Sequence, residues 1–223
     1  MQRLKKGSAQ NLNTGLWEVE QAFPDHTFPL GAVHEFISNA SEDAAATNGF
    51  MMGLTGQLIK KGTAIWVSSK RTIFPPALSL FGIDPERIIF VDLWRQKEVL
   101  WAIEEALKCD AIAAVIGELS ELSFTESRRL QLAVEQSRVT GFIHRYSPRI
   151  ENVTACVSRW KIKPLASNAN GLPGMGFPRW NVQLQKVRNG KPGEWQVEWS
   201  GGQFRYIARP VISITETPKR KAG

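Results

Sequence analysis

FPLGAVHEFISNASEDAAA, residues Phe28 to Ala46, decides the fold. Its first half is a short apolar strand entering from a turn at Pro29-Leu30-Gly31. Its second half opens a helix, with Asn39 or Ser41 as N-cap, Glu42 and Asp43 in the first turn, and alanines behind. A strand, a tight loop and a helix N-terminus make the place where α/β proteins bind phosphate. A phosphate loop needs glycines to let amides wrap the oxygens, a lysine on the β/γ oxygens and a Ser/Thr on magnesium. The stretch Ser38-Asn39-Ala40-Ser41-Glu42-Asp43-Ala44-Ala45 has neither glycine nor lysine. It also places two carboxylates, Glu42 and Asp43, where a triphosphate would sit. Each close pair of like charges opposes binding by roughly 1 to 4 kcal/mol at a surface-like dielectric. The expectation is a degenerate phosphate loop, no bound cofactor and no ATPase activity.

Working outward, apolar runs at Ala32–Ile37, Thr63–Ser68, Arg87–Asp92, Ala111–Gly117 and Val139–His144 read as buried strands. Segments of helical period separate them. Gly53 to Leu58 continues the helix opened at Ala44, and Leu78 to Phe81 follows Pro75-Pro76. Val99, Leu100, Ile103 and Leu107 form one apolar stripe. Leu130, Ala133, Val134 and Ser137 form another, behind the capping-box pattern Ser123-x-x-Glu126. This alternation predicts a mainly parallel, doubly wound sheet with helices on both faces and right-handed crossovers. After Tyr146 the pattern changes to strands at Thr154–Ile162, Arg179–Arg188, Glu194–Trp199 and Gln203–Ile207. Hairpin turns fall at Asn189-Gly190 and Gly201-Gly202.

The organisation expected is therefore an N-terminal segment, 1–27, followed by one α/β domain, 28–208, and a basic tail, 209–223. In the segment, Leu16, Trp17, Val19 and Phe23 could form a short amphipathic helix. The domain has a parallel half, 28–146, and an antiparallel half, 147–208, with a Gly/Pro/Asn-rich loop at 165–177.

The composition, 43% hydrophobic and 22% charged, is that of a soluble globular protein. No apolar run approaches the roughly 18 residues of a membrane span. The N-terminus has charge but no apolar core after it, so it is not a secretory signal. Cys109 and Cys156 lack ligand-like spacing and read as buried reduced thiols, with a disulfide or metal site the minority reading. The net charge of +7 is uneven: residues 1–140 carry 14 Lys/Arg against 17 Asp/Glu, and residues 141–223 carry 14 against 4. A basic C-terminal face suits nucleic acid or an acidic protein surface, and basic loops kept for solubility are the alternative. Arg159, Lys161, Arg179, Lys186, Arg188, Lys191 and the tail residues Lys219, Arg220 and Lys221 are the candidate contacts to single-stranded DNA or a partner. Trp160, Trp180, Trp195 and Trp199 are interleaved with them, which fits either base stacking or core packing.

Catalytic constellations are missing. Glu118, the acid at the end of the fourth strand, reads first as a cap or surface residue, with a catalytic role as the minority reading. His34 and Glu35 alternate to opposite faces, and His144 reads as packed. No metal-ligand cluster is present.

The order of elements from Pro29 to Trp199 resembles the RecA ATPase core, in which a GxIVEI-type strand leads into the phosphate loop. Gly31 to Ile37 fits that strand. The loop's leading Gly would fall near Ser38, its catalytic Glu at Ala40, its second Gly near Asp43 and its Lys near Ala44, so none of these carries over. The segments GAVHE, WAIEEAL, GEL, SRRLQLA and PRWxxxLxxxRxGxPGxWxxEW together resemble the ImuA family. That resemblance implies a bacterial, cytoplasmic accessory protein of SOS-induced mutagenic translesion synthesis, nucleoid-associated when DNA is damaged. Its implied partners are ImuB, a Y-family-like protein, with an error-prone C-family polymerase, and RecA; self-association as in RecA is open. The related cell-division inhibitor SulA, which binds FtsZ, is an alternative that the longer basic C-terminal half disfavours. A divergent recombinase-like ATPase is another, and it needs a phosphate cation from elsewhere, such as Lys70, Arg71 or Arg145.

Overall fold

The computed structural model describes residues 15–60, 62–167, 174 and 176–207. The expected tail at 209–223, with Lys219, Arg220 and Lys221, lies outside the described residues, as does most of the 165–177 loop.

The expected strands all form. They are β1 (Val33–Ser38), β2 (Ala64–Ser68), β3 (Ile88–Asp92), β4 (Ala114–Leu119), β5 (Thr140–Tyr146), β6 (Ser158–Leu165), β7 (Arg179–Val187), β8 (Gly193–Ser200) and β9 (Gln203–Tyr206). They make one nine-stranded sheet in the order β3-β2-β4-β5-β1-β6-β7-β8-β9. Neighbours from β3 through β6 run parallel, and those from β6 through β9 run antiparallel. The parallel part thus extends one strand further than the sequence pattern implied. Residues 147–157 carry the chain back across the sheet without a helix, so the change of direction comes after β6. β1, flanked by β5 and β6, is buried along its whole length.

Among the described residues four α-helices accompany the sheet: α1 (Trp17–Glu20), α2 (Ser41–Leu58), α3 (Gln96–Leu107) and α4 (Phe124–Ser137). Strand alternation sends Phe36, Trp66, Ile116, Phe142 and Trp160 to the face covered by α2. Val33, Val67, Val115 and Ile143 go to the opposite face, where Val99, Ile103 and Leu107 of α3 and Leu130 and Val134 of α4 meet them. α4 starts with the predicted capping box, Ser123 with Glu126. α2 does not start as expected. Its N-cap is Ala40, with extended backbone and no side-chain cap, while Ser41 Oγ donates to Glu42 and Asn39 Nδ2 donates to Glu151. Among the described residues no helix is long and apolar enough to cross a membrane.

α2 approaches the antiparallel strands closely because its inner face carries small residues. A Cβ at Gly53 would come within 2.5 Å of Phe204 Cζ and 3.0 Å of Trp199 Cζ3. Those two rings also touch each other edge to face, at 4.9 Å between centroids. Trp160, Trp180 and Trp199 are each at most 4% exposed, so three of the four C-terminal tryptophans are core residues. Trp195 is partly buried against the same core.

Candidate functional site

The carboxyl end of β1 is followed by only two residues, Asn39 and Ala40, before α2 begins. Beside this connection, over the carboxyl ends of β2, β4 and β5, lies a pocket of about 510 Å³. α2 turns Ser41, Ala44, Ala45 and Asn48 into it, a stripe of helical period. Glu42 and Asp43 are absent from that stripe, so the two carboxylates stand off the pocket rather than in it.

The sheet supplies the floor. Glu118 and His144 are register partners on β4 and β5, and both line the pocket. Glu118 is neither a cap nor a surface residue: it is partly buried, and Trp66 Nε1 donates to its Oε1 at 2.8 Å. Burial pushes its carboxyl up to about 7; the Trp66 hydrogen bond acts the other way, and the nearby Asp92 adds to the rise. His144 is 3% exposed, and burial lowers it to about 4, so it is neutral at pH 7. Its Nε2 lies 3.0 Å from Ser38 Oγ, which is 2.8 Å from Thr47 Oγ1 of α2. Asn48 is 7% exposed, and its Oδ1 has no hydrogen-bond partner. At the rim, Gln96 ties two loops together: its Nε2 donates to Ser69 Oγ, and its Oε1 accepts from the Ser120 amide at 3.1 Å.

Of the three cations considered as substitutes for a phosphate lysine, Lys70 alone lines the pocket. Arg71 pairs with Asp92 at 2.6 Å and covers the Phe90 ring. Arg145 points to the other face of the sheet, where it is fully buried against Glu35 at 2.8 Å. Glu35 also accepts from Arg159 Nε at 2.7 Å and from Thr154 Oγ1 at 2.8 Å. Arg145 Nη2 donates to Ile150 O and Asn152 Oδ1, and Arg159 Nη2 donates to Asn152 O. This cluster holds the helix-free return between β5 and β6. The sequence displays each member but not their meeting, because Glu35, Arg145 and Arg159 lie on three different strands. On the α2 face of β1, His34 bonds Ser158 Oγ and Pro29 O, and burial lowers it to about 4.

The basic candidates of the C-terminal half are spread over several partners. Lys161 pairs with Glu151 at 2.6 Å and Arg179 with Glu198 at 2.7 Å. Lys186 donates to Thr154 O and Arg188 to Ala155 O, while Lys191 is exposed at the β7–β8 turn. Cys156 is buried as expected, with its thiol pushed up to about 12 by burial, but Cys109 is exposed and both are free. Among the described residues no group of three or more His, Cys, Asp or Glu could hold a metal ion. Large apolar side chains do reach solvent: Ile89 of the edge strand β3 is 50% exposed, Trp94 just after it 94%, and Trp101 of α3 63%.

No protein-family model matches the chain. It is similar to Protein ImuA of Caulobacter vibrioides strain NA1000 / CB15N, 34% identical over 203 residues and covering 82% of this chain and 81% of that protein. The Protein ImuA of Caulobacter vibrioides strain ATCC 19089 / CIP 103742 / CB 15 matches with the same identity and coverage. With that identity across four-fifths of both chains, the protein belongs to the ImuA family.

Proposed function

We propose that this chain is a non-catalytic accessory protein of damage-induced, error-prone DNA synthesis, acting through contacts with an ImuB-type protein, RecA or both. In this reading the parallel core is a RecA-like frame whose phosphate loop has lost its chemistry. The observation that carries the reading is the connection of β1 to α2. Two residues without glycine offer no ring of amides to surround a phosphate, and no lysine follows them at the start of the helix. The buried pairing of Arg145 with Glu35 and the surface pairing of Arg71 with Asp92 support the same conclusion, because they occupy two of the three cations that could replace that lysine and leave Lys70 alone at the pocket. Family membership supports the mutagenesis setting. The exposed Trp94, Trp101 and Ile89 support working by protein contact, since large aromatics are typical anchors of protein interfaces. Work at the nucleoid, alongside an error-prone polymerase, follows from the same reading.

The test is co-purification of the tagged chain with an ImuB-type protein and with RecA, in the presence and absence of ATP. Capture of at least one of them without a nucleotide requirement is expected. Loss of all capture when ATP is withheld would overturn the reading.

A further inference from the structure

We propose that β3, a free edge of the sheet, receives a strand from the C-terminal segment of a second copy of this chain, so that copies join edge to tail. The sheet begins at β3, and the outer edge of that strand has no hydrogen-bonded partner among the described residues. Edges of this kind are ordinarily guarded by lysine, proline, a bulge or a covering loop. β3 reads Ile88-Ile89-Phe90-Val91-Asp92 and pairs with β2 without a register shift, so only Asp92, at its end, carries charge. Ile89 is 50% exposed on it, and Trp94, just past its end, is 94% exposed. An open run of backbone donors and acceptors beside exposed apolar side chains is a template for strand addition.

Sequence, charge and reach single out the occupant. Residues 211–215, which lie outside the described residues, read Val-Ile-Ser-Ile-Thr, with four β-branched side chains in five. At a period of two, Ile212 and Ile214 share one face, and Ser213 and Thr215 share the other. β3 has the matching division. Ile89 and Val91 are on the α3 side with Ile65, whereas on the other side Arg71 covers Phe90 and pairs with Asp92. Residues 84–110, which include β3 and α3, carry seven Asp/Glu against four Lys/Arg. Residues 208–223 carry four Lys/Arg against Glu216 alone, so the two segments attract. The donor has to be another copy. β3 and β9 are opposite edges of the nine-stranded sheet, eight spacings or about 38 Å apart. The four residues from Ile207 to Val211 reach at most about 14 Å. At β9 itself the chain at Gly15 already lies against the backbone, where a Cβ would overlap Phe204 O. Each copy thus offers one edge and one tail, a head-to-tail contact that can repeat.

The test is light scattering on size-exclusion chromatography of the full chain over a range of concentrations. The parent should exceed the monomer mass and grow with concentration. Ile89→Lys, which charges the edge, and Ile214→Lys, which charges the tail strand, should each run as a monomer. Mixed in equal amounts, the two variants should form a dimer that grows no further, because one supplies an intact tail and the other an intact edge. A labelled peptide of residues 209–217 should bind the Ile214→Lys chain saturably and the Ile89→Lys chain at least about tenfold more weakly. The peptide also needs no variant: added to the parent, it should disperse the assembly. Five results overturn the proposal: a parent that stays monomeric to about 1 mM, assembly retained in Ile89→Lys, assembly retained in Ile214→Lys, no dimer in the mixture of the two folded variants, or a parent assembly that excess peptide leaves intact. Assembly lost in Ile89→Lys but kept in Ile214→Lys would mean that edge meets edge. Capture of an ImuB-type protein or of RecA by the monomeric Ile214→Lys chain reads the proposed function separately.

Discussion

Replacing Arg145 with alanine removes one of the two fully buried members of a charge cluster. Arg145 and Glu35 are both 0% exposed, and their contact is 2.8 Å. Breaking a buried pair by deleting one partner costs about 3 to 5 kcal/mol, because the other charge stays buried. Here Arg159 and Thr154 remain on Glu35, which places Arg145→Ala at the lower end, about 3 kcal/mol. Glu35→Gln takes the carboxylate from Arg159 and leaves Arg145 with no carboxylate but the half-exposed Glu121 at 3.4 Å, and should reach about 5 kcal/mol. Against a typical stability of about 5 to 15 kcal/mol these are large losses. For a chain of this size each kcal/mol shifts the melting temperature by about 2 to 4 °C, giving a fall of about 6 to 20 °C. Circular dichroism melts and urea titrations measure both quantities. Because the two residues share one interaction, the double variant should lose at least about 1 kcal/mol less than the sum of the single losses. By contrast, Arg95→Ala, whose pair with Glu98 is long and exposed, should change stability by less than about 0.5 kcal/mol. A loss under about 1 kcal/mol for Arg145→Ala, or simple additivity in the double variant, would refute the reasoning.

The pH dependence of stability should separate Glu118 from the buried histidines. The folded chain holds a proton on Glu118 up to about 7, against 4.5 for an ordinary glutamate, so it binds the extra proton in that window and loses stability as pH rises through it. Glu118→Gln should therefore gain on the parent by about 1.4 kcal/mol per pH unit from 4.5 to 7, a change read by urea unfolding at several pH values. A parallel pair of curves contradicts this. His34 and His144 act in the other direction: both are held neutral down to about 4, so stability falls as pH drops from 6.5 toward 4. Replacing both with asparagine should flatten the acid limb. Gly53→Ala should cost about 1 to 3 kcal/mol, since the new methyl meets Phe204 and Trp199, and a neutral melting temperature would show that α2 can retreat from the sheet. A thiol reagent should label Cys109 in the folded chain and reach Cys156 only on unfolding; immediate labelling of both would contradict the burial of Cys156.

Much of the fold is legible in the chain because its signals are local. β1 to β5 appear as short apolar runs, α3 and α4 as stripes, and Ser123 with Glu126 announces the start of a helix. What the chain conceals depends on distant partners. β6 joins β1 in parallel because residues 147–157 recross the sheet, and no periodicity records that. The burial of Glu118 depends on Trp66, two strands' worth of sequence earlier, and Arg145 is removed from the pocket by strand alternation. Composition leaves the C-terminal tryptophans open between stacking and packing; their burial under α2 makes Trp160, Trp180 and Trp199 core residues, with Trp195 only partly buried. At the site, the missing glycine and lysine were visible, whereas the direction of Glu42 and Asp43 was not, because the helix phase is fixed only once Ser41, Ala44 and Asn48 face the sheet.

The most direct measurement is ATP turnover by the purified full chain with magnesium, alone and with single-stranded DNA and RecA. A frame without phosphate chemistry predicts that the chain adds nothing to the phosphate release measured in its absence under each condition. Magnesium-dependent hydrolysis contributed by this chain, and lost in Lys70→Ala or Glu118→Gln, would contradict it.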